Sequence, residues 1–156
     1  MMIALDPNFR DLLSCFNSNN VRYLILGGYA VNFHGHHRNT KDFDVWIAID
    51  EANAQQVSTA LQQFGFSASS VPADLFRKQH QVFAFGREPF RIDILTSPSG
   101  VDFEAAYARR VEANVDSVVV PVISLSDLLT NKRASARTRD LADVEALTRT
   151  EKELKP

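Results

Sequence analysis

The chain has 156 residues, 45% of them hydrophobic, and a formal net charge of -2 at pH 7. That is the size of one ordinary domain with material for a real core, and it excludes a surface shaped throughout for nucleic acid, so any phosphate chemistry has to be local. Cys15 is the single cysteine, which excludes an internal disulfide and a cysteine-based zinc site and fits a reducing compartment.

From Asp6 to Asn17, DPNFRDLLSCFN offers a capping Asp, a Pro at the first helical position and apolar Phe9, Leu12, Leu13 and Phe16 at helical spacing, which predicts a short amphipathic helix. VRYLILGG then reads as an apolar strand that stops at Gly27 and Gly28, followed by one or two helical turns in YAVNFHGHH. In the next strand, TKDFDVWIAI, Phe43, Val45, Ile47 and Ile49 alternate onto one face and Asp42, Asp44, Trp46 and Ala48 onto the other. DEANAQQVSTALQQFG carries an Asp cap, apolar Ala54, Val57 and Leu61, and a terminating Gly65, the marks of a helix.

HQVFAFG and FRIDILT, separated by REP, predict a hairpin in which Asp93 stands alone among Ile92, Ile94 and Leu95. A helix around DFEAAYARR precedes VEANVDSVVVPVI, whose short apolar runs predict one or two edge strands with Pro121 near the end. Two helices, SLSDLLTNKRASAR and RDLADVEALTRT, follow, and the tail 151–156 is expected to fray. No internal repeat or low-complexity linker divides the chain, so residues 1–150 are expected to form one domain. MMIALDPNFR lacks a basic start with a long apolar run, and no stretch approaches the length of a membrane span; a soluble cytoplasmic protein is expected.

Three acids need an account: Asp42 and Asp44 on one face of one strand, and Asp93 inside another. Buried carboxylates are costly unless they reach water, pair with a cation or bind metal. If the two strands are neighbours, the three would bind one or two Mg²⁺ ions, which prefer oxygen ligands and often share them with substrate phosphates. Two such ions about 3.5–4 Å apart can activate an attacking oxygen and stabilise a leaving one. Gly27 and Gly28 end a strand just before a short helix, where absent side chains let a substrate approach backbone N–H groups.

The order of LILGG (Leu24 to Gly28), thirteen residues, DFDVW (Asp42 to Trp46) and the distant RIDIL (Arg91 to Leu95) resembles the nucleotidyltransferase superfamily that includes DNA polymerase beta. KRASARTRDLADVEAL, Lys132 to Leu147, is similar to a segment of small bacterial members, including the abortive-infection type. The resemblance implies an α+β fold, a small mixed sheet with helices packed against it and the acids at one open edge of a sheet face. It implies transfer of a nucleoside monophosphate from a nucleoside triphosphate such as ATP to an acceptor, with release of pyrophosphate. Asp42 and Asp44 would be the metal-binding pair, with Mg²⁺ or Mn²⁺ as the metal. Asp93 would be the third ligand or the base for the acceptor hydroxyl, and Gly27 and Gly28 would hold the triphosphate. Many members carry Ser where this chain has Gly28, which leaves a backbone N–H for that contact.

Lys132 lies i+7 from Leu125 on a helix face with Leu128 and Leu129, so it either contacts the triphosphate or snorkels at the edge of the core. Arg38 and Lys41 precede the acid strand and would neutralise phosphate or compensate Asp42. Arg137 and Arg139 read as solvated, and Asp140 and Asp143 as helix-dipole partners or as partners of Arg137. His34, His36 and His37 crowd together, but the spacing does not suit one zinc ion, and a loop meeting nucleotide or solvent is expected. Trp46 is expected in the core rather than on a base. The acceptor is open: a small molecule, a tRNA end or a protein, with a partner protein or a homodimer completing the pocket. The rival from another class is an antitoxin-like binding module that keeps the fold and masks a partner.

Overall fold

Asp6 opens the fold: its side chain accepts the Asn8 backbone N–H (2.9 Å) and Pro7 begins helix α1, Pro7–Ser18. The structure is a computed structural model that describes residues 6–40, 42–87 and 89–154. Strand β1 (Tyr23–Leu26) runs directly into α2 (Gly27–Phe33), so the two glycines are the first residues of a helix. Strand β2 is Asp42–Ile47, and Asp50 caps α3 (Glu51–Phe64), which ends at Gly65. Two 3-10 turns lead to the hairpin β3 (Val82–Arg87) and β4 (Phe90–Leu95). Then follow α4 (Phe103–Ala108), β5 (Val111–Val115), β6 (Val118–Val122), α5 (Leu125–Ser135) and α6 (Thr138–Leu154). The last helix continues into the segment expected to fray.

The architecture is the expected α+β one: a six-stranded mixed sheet in the order β3-β4-β2-β1-β6-β5 with helices against it. β1 is antiparallel to β2, and β2 is parallel to β4, which is in turn antiparallel to β3. The strands that carry the acids are therefore inner strands, with apolar residues on both faces, as such strands require. The expectation of edge strands for VEANVDSVVVPVI holds only for β5. β6 is an inner strand, joined to β1 through the Ile25–Val122 pair and the Ile123 N–H to the Ile25 carbonyl (3.1 Å). Pro121 is tolerated there because this pairing begins only after it, where no proline N–H is needed.

One sheet face is apolar throughout β2: Phe9 of α1 stacks on Phe43 (4.6 Å) and Tyr29 of α2 meets it edge-on (5.0 Å). On the other face Trp46 is 1% exposed, meets Phe103 edge-on (5.2 Å) and donates from Nε1 to the Thr96 carbonyl (3.2 Å). That settles it as a core residue whose polar atom is satisfied. Its half of the face is filled, which leaves the acids at the other end of β2 beside open space.

Candidate active site

Alternation along β2 puts Asp42 and Asp44 on one face, and the parallel register sets Asp44 opposite Asp93 and Asp42 opposite Arg91. The three acids border one cleft of about 620 Å³, which is also lined by Gly27, Gly28, Arg38, Lys132, Arg137 and Arg139. Burial, with the charges of Asp93 and Asp42, pushes the Asp44 carboxyl up to about 6, while Lys132 and Arg137 pull it the other way. Asp93 accepts from Arg91 Nε at 2.8 Å.

Gly27 has φ +63°, and a Cβ built on it would run into the Asp44 carboxylate, whose Cγ lies 3.0 Å away. At Gly28 the obstacle would be the side chain of Thr40, with its Cβ at 2.6 Å. Gly27→Ala is therefore expected to lower stability by about 1–2 kcal/mol, the sum of left-handed strain and crowding. Thermal melting checks this; an unchanged melting temperature would mean that the β1–α2 turn yields freely.

The cations that line the same cleft are held by buried acids. Lys132 is 4% exposed and its Nζ lies 3.1 Å from both Asp140 Oδ1 and Asp143 Oδ2. Arg137 Nε donates to Asp140 Oδ2 at 2.7 Å, and Ser135 Oγ to the same oxygen at 2.8 Å. Arg38 makes a two-pronged bond to Asp143, Nε to Oδ1 at 2.9 Å and Nη2 to Oδ2 at 3.0 Å. Burial raises the Asp140 carboxyl, but the bonds from Arg137, Ser135 and Lys132 outweigh it and hold the group well below the usual carboxylate range.

Of the residues singled out in the sequence, Asp42, Asp44, Asp93, Gly27, Gly28, Arg38 and Lys132 thus meet around one cleft. Lys41 lies outside the described residues. Lys132 does not snorkel to water; it is an inward lysine whose charge is matched by two aspartates. His34 places Nε2 2.7 Å from the Ile123 carbonyl, and burial lowers its pKa, so it fastens its loop to the sheet as a neutral donor. His36 Nε2 stands 3.9 Å from Asp143 Oδ1.

Several cleft residues escaped the sequence reading. Arg137 and Arg139 line it rather than only facing solvent, and Ser97, Pro98, Ser99 and Asn131 form its rim, with Asn131 Nδ2 donating to the Ser99 carbonyl (2.9 Å). Asp140 pairs with Arg137, one of the two expectations for it, but its burial at 0% exposure, and that of Asp143 at 1%, was not expected. A signal existed: Asp140, Asp143 and the buried Leu147 stand at i, i+3 and i+7, one helical face, so the acids had to point inward with the leucine.

A family model described as "Nucleotidyltransferase of unknown function (DUF6036)" matches residues 2–151. Among solved structures, the chain is similar to the lincosamide antibiotic adenylyltransferase LnuA in its lincomycin-bound form, with 17% identity, 93% of this chain and 97% of that one covered, and a TM-score of 0.56. It is also similar to ANT(2")-Ia in complex with adenylyl-2"-tobramycin, with 12% identity, coverage of 91% and 86%, and a TM-score of 0.59. A third is an antigenic nucleotidyltransferase-like protein from Paracoccidioides brasiliensis, with 16% identity, coverage of 90% and 74%, and a TM-score of 0.51. No curated protein matches the sequence. At such identities the structural likeness shows the fold.

Proposed function

The chain belongs to the DUF6036 nucleotidyltransferase family, and on that premise we propose that it is a metal-dependent enzyme that moves a nucleoside monophosphate from a nucleoside triphosphate such as ATP to an acceptor hydroxyl, releasing pyrophosphate. The observation that carries the reading is the register of Asp44 against Asp93, with Asp42 on the same face, in a cleft also lined by Arg38, Lys132 and Arg137.

The donor set suits a hard divalent cation. Three carboxylates share one face, and Asp44 is pushed up to about 6 by burial and by the two others, the crowding that a bound cation relieves. Among the described residues no three His, Cys, Asp or Glu side chains stand grouped as a metal cluster, and Asp93 is held by Arg91. Asp42 and Asp44 are the ligands in this reading, for one or two Mg²⁺ ions, with Mn²⁺ as the other cation of that class, and Asp93 beside them serves as the base rather than as a third ligand. Mg²⁺ held there would neutralise triphosphate charge and make the acceptor hydroxyl a better nucleophile.

The chain's own groups do the rest. Gly27 and Gly28 present backbone N–H groups to phosphate without side chains in the way, and Arg38, Lys132 and Arg137 offset its charge. The acceptor oxygen bonds to the α-phosphorus, the bond from that phosphorus to the bridging oxygen breaks, and pyrophosphate leaves with the electron pair. Asp93 takes the hydroxyl proton. Catalysis of this kind rests on positioning and charge stabilisation. Small antibiotic-like molecules, as named with two of the similar structures, are one acceptor class; tRNA ends and protein hydroxyls are the others. The reading sets the enzyme in the cytoplasm with its nucleotide pool; among the described residues no helix is long and apolar enough to cross a membrane.

Calorimetric titration with non-hydrolysable nucleoside triphosphate analogues tests it, in Mg²⁺ and again with a chelator, beside the Asp42→Asn/Asp44→Asn double variant. Binding is expected only with metal and both carboxylates. A folded protein that binds no nucleotide would overturn the enzyme reading in favour of an antitoxin-like binding module.

A further inference from the structure

Asp143 is 1% exposed on α6 and is not among the residues that line the cleft, yet it gathers cations from two separate segments. Arg38, from the loop between α2 and β2, grips it with both prongs at 2.9 and 3.0 Å, and Lys132 of α5 reaches its Oδ2 at 3.1 Å. The backbone N–H of Arg38 is fixed in turn by Asn32 Oδ1 at 2.9 Å. Both cations line the same cleft as the acids. A bidentate pairing fixes the plane of a guanidinium and its distance, which a single charge contact does not. We propose that Asp143 is a positioning residue that aims Arg38 and Lys132 into the cleft to receive the triphosphate. This rests on the transfer reading above and names what prepares its phosphate subsite.

Coulomb's law alone predicts the opposite behaviour. If Asp143 were merely a counter-charge, neutralising it would leave the wall more positive and tighten its grip on polyphosphate. If it acts by positioning, the same change frees Arg38 and Lys132 to wander, and the grip weakens. The sign of one measurement therefore separates the two roles.

The experiment is calorimetric titration of the full chain with inorganic tripolyphosphate in Mg²⁺, comparing the native protein with Asp143→Asn, Arg38→Lys and their combination. Each single variant is expected to bind about tenfold more weakly, the size of one charge-assisted hydrogen bond. The combination should lose less than the product of the two losses, because both remove the same link. Arg38→Lys keeps the charge and loses the fork, so it decides the question if Asp143→Asn does not fold. Tighter or unchanged binding by folded Asp143→Asn, unchanged binding by Arg38→Lys, or no binding by the native chain would overturn the positioning role. Transfer from a nucleoside triphosphate is read on the same native preparation. Its absence would sink the enzyme reading while leaving the tripolyphosphate comparison to decide the role of Asp143.

Discussion

Asp44→Asn is expected to cut nucleotide transfer by about 10²-fold or more and, in the same protein, to raise the melting temperature of the metal-free fold. The two effects have one cause. Asp44 is pushed up to about 6 from an ordinary 3.8 by burial and by the charges of Asp93 and Asp42, so the folded state holds its ionised form at a cost. That cost is absent below about pH 3.8, grows as pH rises from there to about 6, and is complete above it. The gap caps the effect near 3 kcal/mol, and water in the open cleft lowers it to about 1–2 kcal/mol, or roughly 2–6 °C. Asn cannot ionise, so its advantage should grow between pH 4 and pH 7 in a melting series without metal. A variant that melts below the native protein across that range would mean that the carboxylate makes a stabilising contact. Full transfer activity in the variant would remove Asp44 from the site.

Asp140→Ala should do the greatest harm to stability, about 3–5 kcal/mol, because it breaks a buried ionic network from the side of its acid. Asp140 is 0% exposed and accepts from Lys132 Nζ, Arg137 Nε, Ser135 Oγ and the Arg137 backbone N–H. Its loss leaves Lys132, itself 4% exposed, with Asp143 as its remaining acid partner among these contacts. Because the network holds the Asp140 carboxyl well below the usual range, its stabilising contribution is complete above about pH 4 and fades as pH falls below that. Chemical denaturation at pH 7 measures the loss, and repetition at pH 3 should show a smaller difference between native and variant. Arg137→Ala is the control: its side chain is 68% exposed, and Asp140 keeps Lys132 and Ser135, so the cost should stay below about 1 kcal/mol. Equal losses from the two variants would show that the network is no more than a surface pair.

Local signals carried the reading of most elements. The capping acids Asp6 and Asp50, Pro7 and the stop at Gly65 were legible because a cap is settled within a few residues of chain. The shared face of Asp42 and Asp44 was legible for the same reason, since strand alternation has a period of two. Trp46 could be read as core from its place in a strand with apolar neighbours on both sides.

Periodicity along the chain was enough to say which residues share a face of a strand or helix, the acid pair included. The packing of the whole chain sets β2 and β4 parallel with Asp44 opposite Asp93, sets Gly27 and Gly28 beside the acids, and makes β6 an inner strand next to β1. It also brings Lys132 and Arg38 together on Asp143. The difference is one of range. Periodicity and capping are written into neighbouring residues, whereas strand order and a buried ion pair between remote segments are fixed by how the whole chain packs, which no local window contains.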